Sequence, residues 1–531
     1  MGAAGPLSLR GRARSPGDRP ARLRGGRENL LLRRVDWRFL LHATHAPTVL
    51  DLARGRLAEA LPLVGELTAS APADLVVVSR PTRRKLARAR AALQVGGELY
   101  CEWRLPRPAG IWRARRTLRR AGFVDIRIHW PGPWPAMAAP HFWLSLDCDP
   151  AIEHLLRAAS RPGPWAGAAR LLWRLALRTG LLAPLCVVAR RGPLTPDGER
   201  DGDRLGPQNA RWLLLTPGSA SINKVIAIPF GEWSPARRGR RPGPASPIAL
   251  AKFARVSEAE AALRREAHAL RALEAGHPGL RGAPRVLGTG RRAGRLGLAQ
   301  TAVPGRPLMD LLSAGSLPEV TDAVTRWLLR LAGAAEPQPR SAWWPRLVES
   351  PLRRFEADFG PLLPAGTLQQ IRRRLEPLSQ LPIVFEHRDC APWNIVWQED
   401  GEPALLDWES AEPRGLPALD LVYFLANAAF VIERALERHH TRRTYRRLLD
   451  PGTPLGALAQ RALRDYARDL RVDVAALPGL RLLCWLIHSQ SDLRHLALAA
   501  SGPPVPEQLR AGVYFGLVME ELRPDGADSH R

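Results

Sequence analysis

Between residues 384 and 409 an island of polar residues is held between two apolar runs. It reads Val384-Phe-Glu-His-Arg-Asp-Cys-Ala-Pro-Trp-Asn-Ile-Val-Trp397, followed by Pro403-Ala-Leu-Leu-Asp-Trp-Glu409. Short apolar runs bounded by turn residues are the mark of buried strands. His387, Asp389 and Asn394 then sit in the loop between two strands, and Asp407 at the end of the next. Turn chemistry alone accounts for a lone His-x-Asp, because Asp and Asn tolerate turn conformations. It does not account for His387, Asp389, Asn394, Asp407 and Asp420 recurring at fixed intervals among apolar segments, and that chain of residues points to a site.

The pattern of His387-x-Asp389, Asn394 five residues later and Asp407-Trp408-Glu409 resembles the aminoglycoside phosphotransferase and choline kinase family, which shares its fold with the protein kinases. The loop reads HRD, as in protein kinases, where the family usually has HGD. The resemblance spans about residues 211–523 and implies an ATP-dependent transfer of phosphate to a small-molecule alcohol. Asp389 is the expected catalytic base, because a hydroxyl attacking a phosphate needs a carboxylate to orient it and take its proton. Asn394 and Asp407 are the expected Mg²⁺ ligands, one neutral and one anionic hard oxygen. His387 and Asp420 are expected to brace the loop, and the role of Glu409 stays open.

Kinase-type sites also use a lysine on the third strand, fixed by a glutamate on the next helix. Lys252, in the apolar run Pro247-Ile-Ala-Leu-Ala-Lys-Phe253, and Glu266 stand at those places. The chain has only three lysines, Lys85, Lys224 and Lys252, among 78 basic residues. A position where arginine would serve equally well has every chance to be arginine here, so a lysine implies a need for a compact charge. The phosphate-covering loop is expected in Thr216-Pro-Gly-Ser-Ala-Ser-Ile-Asn-Lys224, with Gly218, Ser219 and Ser221 offering backbone amides and hydroxyls. It has one glycine rather than three. Lys224 is either a further cation there or a solvated strand end. Adenine is expected against the backbone near Thr301 and Val303.

The expected fold class is an α/β methyltransferase-like (Rossmann-like) N-terminal domain plus an α+β protein-kinase-like C-terminal domain with a small antiparallel β lobe and a large helical lobe. Residues 1–28 read as a disordered basic tail, 29–192 as the first domain, 193–208 as a linker rich in Gly, Pro, Asp and Arg, and 209–525 as the kinase-like domain. Strands alternating with helices before residue 192 imply a mainly parallel sheet; strands first and helices afterwards imply α+β. Ala73-Asp-Leu-Val-Val-Val-Ser79, Gln94-Val-Gly-Gly-Glu-Leu-Tyr-Cys-Glu-Trp103 and Thr117–Arg127 resemble the latter half of a class I S-adenosylmethionine-dependent methyltransferase. The loop after its first strand, Leu52-Ala-Arg-Gly-Arg56, has one glycine and bulky arginines where a cofactor must approach the backbone. Loss of that cofactor is the expectation.

The net charge of +27 favours anionic partners. The basic residues are scattered, so nucleic acid is not the expected partner, while peripheral contact with an anionic membrane stays open. Arg434, Arg438, Arg442, Arg443, Arg446 and Arg447 argue for a neutral or anionic acceptor over a polycationic one, unless they form a solvated helix face. Five scattered cysteines and no apolar leader imply a reduced, cytoplasmic protein. Two other readings stand beside the kinase: a non-catalytic nucleotide-binding scaffold, and a methyltransferase with a regulatory kinase-like module.

Overall fold

The computed structural model describes residues 22–103, 110–132, 140–159, 166–179, 184–192, 205–206, 210–218, 220–230, 247–333, 335–499 and 505–523. Most of the expected tail, most of the 193–208 linker, the arginine-rich loop 231–246 and Ser219 lie outside them.

The first helix, α1 (Arg22–Arg34), overlaps the end of the expected tail, so Arg22 to Glu28 are helical. Val- and Leu-rich runs then form strands because such side chains fill both faces of a covered sheet. These are β1 (Thr48–Leu52), β2 (Glu66–Thr68), β3 (Ala73–Ser79) and β4 (Leu93–Trp103), parallel in the order β2-β1-β3-β4. Helices α2 (Arg56–Ala60) and α3 (Arg83–Ala92) connect them. After α4 (Gly110–Arg120) come β5 (Val124–Gly132), β6 (Phe142–Ser145), α5 (Asp149–Ala159), α6 (Ala166–Thr179) and β7 (Leu185–Arg190). Here the sheet is no longer parallel: β7 lies antiparallel between β4 and β5, and β6 antiparallel to β5.

β6 is the joint of the molecule. Its Phe142, Trp143 and Leu144 pair antiparallel with Leu215, Leu214 and Leu213 of β8 (Arg211–Leu215). The sheet continues through β9 (Val225–Phe230), β10 (Ala249–Phe253), β12 (Arg295–Thr301) and β11 (Val286–Arg292), twelve strands in all. It therefore runs across the boundary expected at 193–208. An apolar edge strand such as Phe142-Trp-Leu invites pairing, and β8 supplies it.

The segment before β1 locks this join. Asp36 and Arg255 form an ion pair with Oδ2 2.9 Å from Nε and both side chains wholly buried. Phe39 stacks on Phe253 at 4.9 Å between ring centres, Arg38 donates to the Arg255 carbonyl at 2.6 Å, and Arg292 donates to the Phe39 carbonyl at 3.2 Å. One apolar cluster contains Trp37, Tyr100, Trp143, Trp212, Phe253 and Ala299, from both sides of the expected boundary.

Beyond β12 helices dominate. Leu317–Ala332, Ser350–Phe359, Leu419–Glu433, Pro454–Asp469 and Leu477–Ala499 surround a core that buries Trp327, Phe355, Trp408, Phe424 and Trp485. Short strands Ile395–Trp397 and Pro403–Leu405 pair antiparallel and aim the polar island at the small lobe. No described helix is long and apolar enough to cross a membrane.

Candidate active site

The loop after Glu386 owes its shape to one buried carboxylate. Asp420, near the start of helix Leu419–Glu433, accepts the backbone N–H groups of His387 at 2.6 Å and Arg388 at 2.8 Å. Arg388 sits at φ +63°, a conformation an L-residue holds only when its surroundings impose it, and those two hydrogen bonds do so. Burial and the neighbouring Glu386 carboxylate push the Asp420 carboxyl up.

His387 is wholly buried. Its Nε2 lies 3.1 Å from the Leu406 carbonyl, and its Nδ1 receives the Asp389 backbone N–H at 3.3 Å. One nitrogen thus donates and the other accepts, which is the neutral tautomer. Burial pulls its pKa down to about 4. The ring rests edge-on against Trp408 and ties the loop to the strand before Asp407.

Asp389 projects from this brace. Asn394 donates through Nδ2 to the Asp389 carboxylate at 2.7 Å and to its carbonyl at 2.9 Å, leaving the Asn394 Oδ1 as a neutral oxygen. Burial, then the Asp407 and Glu409 carboxylates, raise Asp389 to about 7, against hydrogen bonds from Asn394 and Tyr423. A carboxyl with that pKa is matched to proton transfer near neutral pH.

Facing it is a cluster of five charges. Lys252 Nζ lies 2.5 Å from Glu266 and 3.2 Å from Asp407. Lys224 Nζ lies 2.6 Å from Asp407, 2.5 Å from Glu409 and 3.7 Å from Glu266. Asp407 adopts φ +65° at the start of a single helical turn. Burial opposes its ionisation, but Lys224 and then Lys252 outweigh burial and hold the carboxyl far below the usual range. Both lysines are raised, since burial is outweighed by the surrounding carboxylates. Lys252, Glu266, Asp389, Asn394 and Asp407 are thus brought together across the two lobes.

The nucleotide-side residues are placed less fully. Gly218 has φ +68°, and a Cβ there would collide with the Asn223 side chain. Ser221 follows in the same turn, and Ser219 is not described. Thr301 ends β12, where its Oγ1 accepts the Arg285 N–H at 2.9 Å. Val303 is buried against Val396 and Ala404.

Three features escaped the sequence. Lys224 is committed to the carboxylate cluster, and the scarcity of lysine that singled out Lys252 applied equally to it. Tyr423 lies near enough to Asp389 to lower its pKa and shares a 2.8 Å contact with the Tyr514 hydroxyl, while its ring stacks on His488 at 3.7 Å; no local signal marks it. Of the late arginines, Arg434 pairs with Glu437, Arg446 with Glu520 and Arg447 with Glu433. Those three are spent on ion pairs, while Arg438, Arg442 and Arg443 are exposed.

With this geometry in place, comparison with known proteins gives a family. Residues 242–468 match the APH phosphotransferase enzyme family. Among solved structures, an aminoglycoside phosphotransferase from Streptomyces rimosus is 18% identical over 55% of this chain and 94% of its own, with a TM-score of 0.31. A choline/ethanolamine kinase family protein from Mesorhizobium loti is 15% identical over 62% and 94%, with a TM-score of 0.32. A glucosamine kinase is 18% identical over 64% and 85%, also at 0.32. No curated protein matches the chain. Residues 242–468, which contain Lys252, Glu266, Asp389, Asn394 and Asp407, belong to the phosphotransferase enzyme family.

Proposed function

We propose that the protein transfers the γ-phosphate of ATP to a hydroxyl of a small molecule. The observation that carries this reading is Asp389, poised near neutral pKa and held by Asn394 and Tyr423 opposite the Lys252–Glu266–Asp407 cluster.

Lys252, aligned by Glu266, takes the α- and β-phosphates as a point charge. The donor set suits Mg²⁺, which uses one or two carboxylates together with substrate phosphates. Asp407 is fully ionised, and the Asn394 Oδ1 is free once Nδ2 is spent on Asp389. Among the described residues no set of three His, Cys, Asp or Glu forms a dedicated metal cage, in keeping with a site completed by nucleotide. Bound Mg²⁺ supplies neutralisation of the phosphate charge. Asp389 orients the acceptor hydroxyl and takes its proton as the oxygen bonds to the γ-phosphorus and the bond to the β–γ bridging oxygen breaks, releasing ADP.

Tyr423 is buried beside Asp389, its ring covered by His488 and Tyr514, and so acts on the carboxylate rather than on the acceptor. We infer a sugar-like or other polyol acceptor, in the cytoplasm where ATP is available. The test measures ADP release with wild type and Asp389→Asn on a panel of sugars and polyols. A loss of at least 100-fold, on the order expected for removing a general base, supports the reading; equal turnover defeats it.

One observation favours a second reading. Lys224 occupies both Asp407 and Glu409, an arrangement that suits nucleotide binding without turnover. ATP binding with no turnover on any acceptor would select it. For the N-terminal sheet we infer a methyltransferase-like layer that has lost its cofactor and braces the small lobe. The arginines after β1 and the sharing of one sheet with the kinase-like part support this. Heat released on titrating S-adenosylmethionine into the full chain would overturn it.

A further inference from the structure

The N-terminal sheet carries α3, α4, α5 and α6 on one face. Leu86 and Ala89 of α3, Ala114 and Leu118 of α4, Ile152 and Leu155 of α5 and Leu177 of α6 are buried in a single cluster with strand residues. What these helices turn outward is unusual in two respects.

The first is charge. Arg83, Arg84 and Arg88 on α3 and Arg113, Arg116, Arg119 and Arg120 on α4 are exposed. None of the seven pairs with a carboxylate among the described residues, in contrast to Arg115, which pairs with Asp147. Residues 103–124 and 154–196 contain no Asp or Glu at all. Elsewhere several exposed arginines are compensated: Arg264, Arg291, Arg330, Arg346 and Arg372 all hold acidic partners. The unpaired arginines of α3 and α4 thus lie on a layer two of whose long segments carry no acid.

The second is apolar exposure beside it. On α6, Leu171, Leu172, Trp173 and Leu175 are 59%, 67%, 47% and 51% exposed, and Trp112 on the adjoining α4 is 58% exposed. Trp173 leans on Trp130 at 6.5 Å, which fixes its ring while leaving an outer edge free. A continuous exposed patch of this kind marks an interaction site. Between α4 and the ends of β3 and β4 lies a cleft of about 380 Å³ lined by Arg83, Trp103, Trp112, Arg113, Arg116 and Arg120. Arginine and tryptophan line it beside small and apolar residues, with no acid.

We propose that the α3–α4–α6 face docks peripherally on an anionic lipid surface, with the α6 leucines and Trp173 in the interface and the α3 and α4 arginines on the phosphates. Leucine and tryptophan beside arginine, with no spanning helix, is the composition of an interfacial helix. A polynucleotide would use the arginines but leave the leucine ridge without a role. The inference is independent of the chemistry proposed at Asp389.

The test is flotation of the full chain with vesicles of phosphatidylcholine alone or with 30% phosphatidylglycerol, at low and physiological salt. The wild type is expected to float only with the anionic vesicles. The R113E/R116E/R120E variant should lose about a hundredfold in partition, at roughly fivefold for each arginine near the surface. The L172S/W173S variant should lose at least tenfold and leave a residue of binding that salt abolishes. All these positions are exposed, and an unchanged melting temperature checks that the variants fold. Equal flotation of both variants and wild type would overturn the proposal. So would no flotation at any composition, with or without a gel shift of single-stranded RNA that the arginine variant loses; the shift would reassign the face to nucleic acid.

Discussion

Removing the Tyr423 hydroxyl tests the reading of Asp389 most directly. As the group that must be ionised to accept a proton, Asp389 gives an activity that rises with pH and is lost as pH falls below its pKa. With that pKa at about 7, kcat/KM, which reports the free enzyme, should have an ascending limb there. The ionised fraction is then about one-tenth at pH 6 and about nine-tenths at pH 8. The Tyr423 hydroxyl, beside the carboxylate, favours the ionised form and is placed to donate to it. Hydrogen bonds to charged groups contribute about 1.5–3 kcal/mol, and about 1.4 kcal/mol moves a pKa by one. Tyr423→Phe should therefore move the limb up by about one to two pH units. At pH 7 that is a fall of roughly 5- to 50-fold in kcat/KM, recovered at pH 9. Recovery separates a change in ionisation from damage to the site's geometry, since a displaced base stays poor at every pH. The measurement is ADP release on the best acceptor of the panel between pH 5.5 and 9.5. A wild-type limb between pH 4 and 5, or a variant limb that stays near 7, would refute the argument.

The other predictions concern charge and the join between the two parts. Lys224→Met removes the ammonium that competes for Asp407 and Glu409, so half-activation by Mg²⁺ should shift to about tenfold lower concentration; a curve that is unmoved or displaced upward rejects the competition. Glu266→Ala frees Lys252 from its 2.5 Å anchor and should raise KM for ATP by about tenfold or more, read from initial rates against ATP concentration. Asp36→Ala leaves Arg255 buried without its partner and should cost about 3–5 kcal/mol in urea unfolding, with the double variant Asp36→Ala/Arg255→Met recovering most of it. Because the sheet is continuous across β6 and β8, tryptophan fluorescence and ATP binding should be lost in one transition; two well-separated transitions would contradict a shared core.

The polar island was legible because its residues lie within one short stretch. Asp389, Asn394 and Asp407 are fixed relative to one another by a loop and a strand pair, and local spacing suffices to bring them together. Lys252 was legible for a different reason: in a chain so nearly devoid of lysine, its presence on an apolar strand demanded a role. Lys224 offered the same signal, but a charge at a strand end has two readings until the opposing lobe is known. Glu409 was visible in the same stretch but its role was not, since that depends on Lys224 reaching it from the opposite lobe; Tyr423 comes from a helix whose approach depends on packing, which leaves no periodicity to read. The strands β2, β6 and β11 were missed because the first two have three and four residues and the third carries two glycines and a register shift.

What the sequence determined by itself was the family's constellation of residues and the two patterns of secondary structure on either side of residue 192. Both are short-range properties, set by side-chain periodicity and by residue spacing within single loops. Only the tertiary structure decided that these two patterns share one twelve-stranded sheet, that Asp36 finds Arg255 across 219 positions of chain, and that Lys224 closes on Asp407 and Glu409. An edge strand carries no record of which distant strand will cover it. A buried charge shows only that it needs a partner, and packing decides which one it meets.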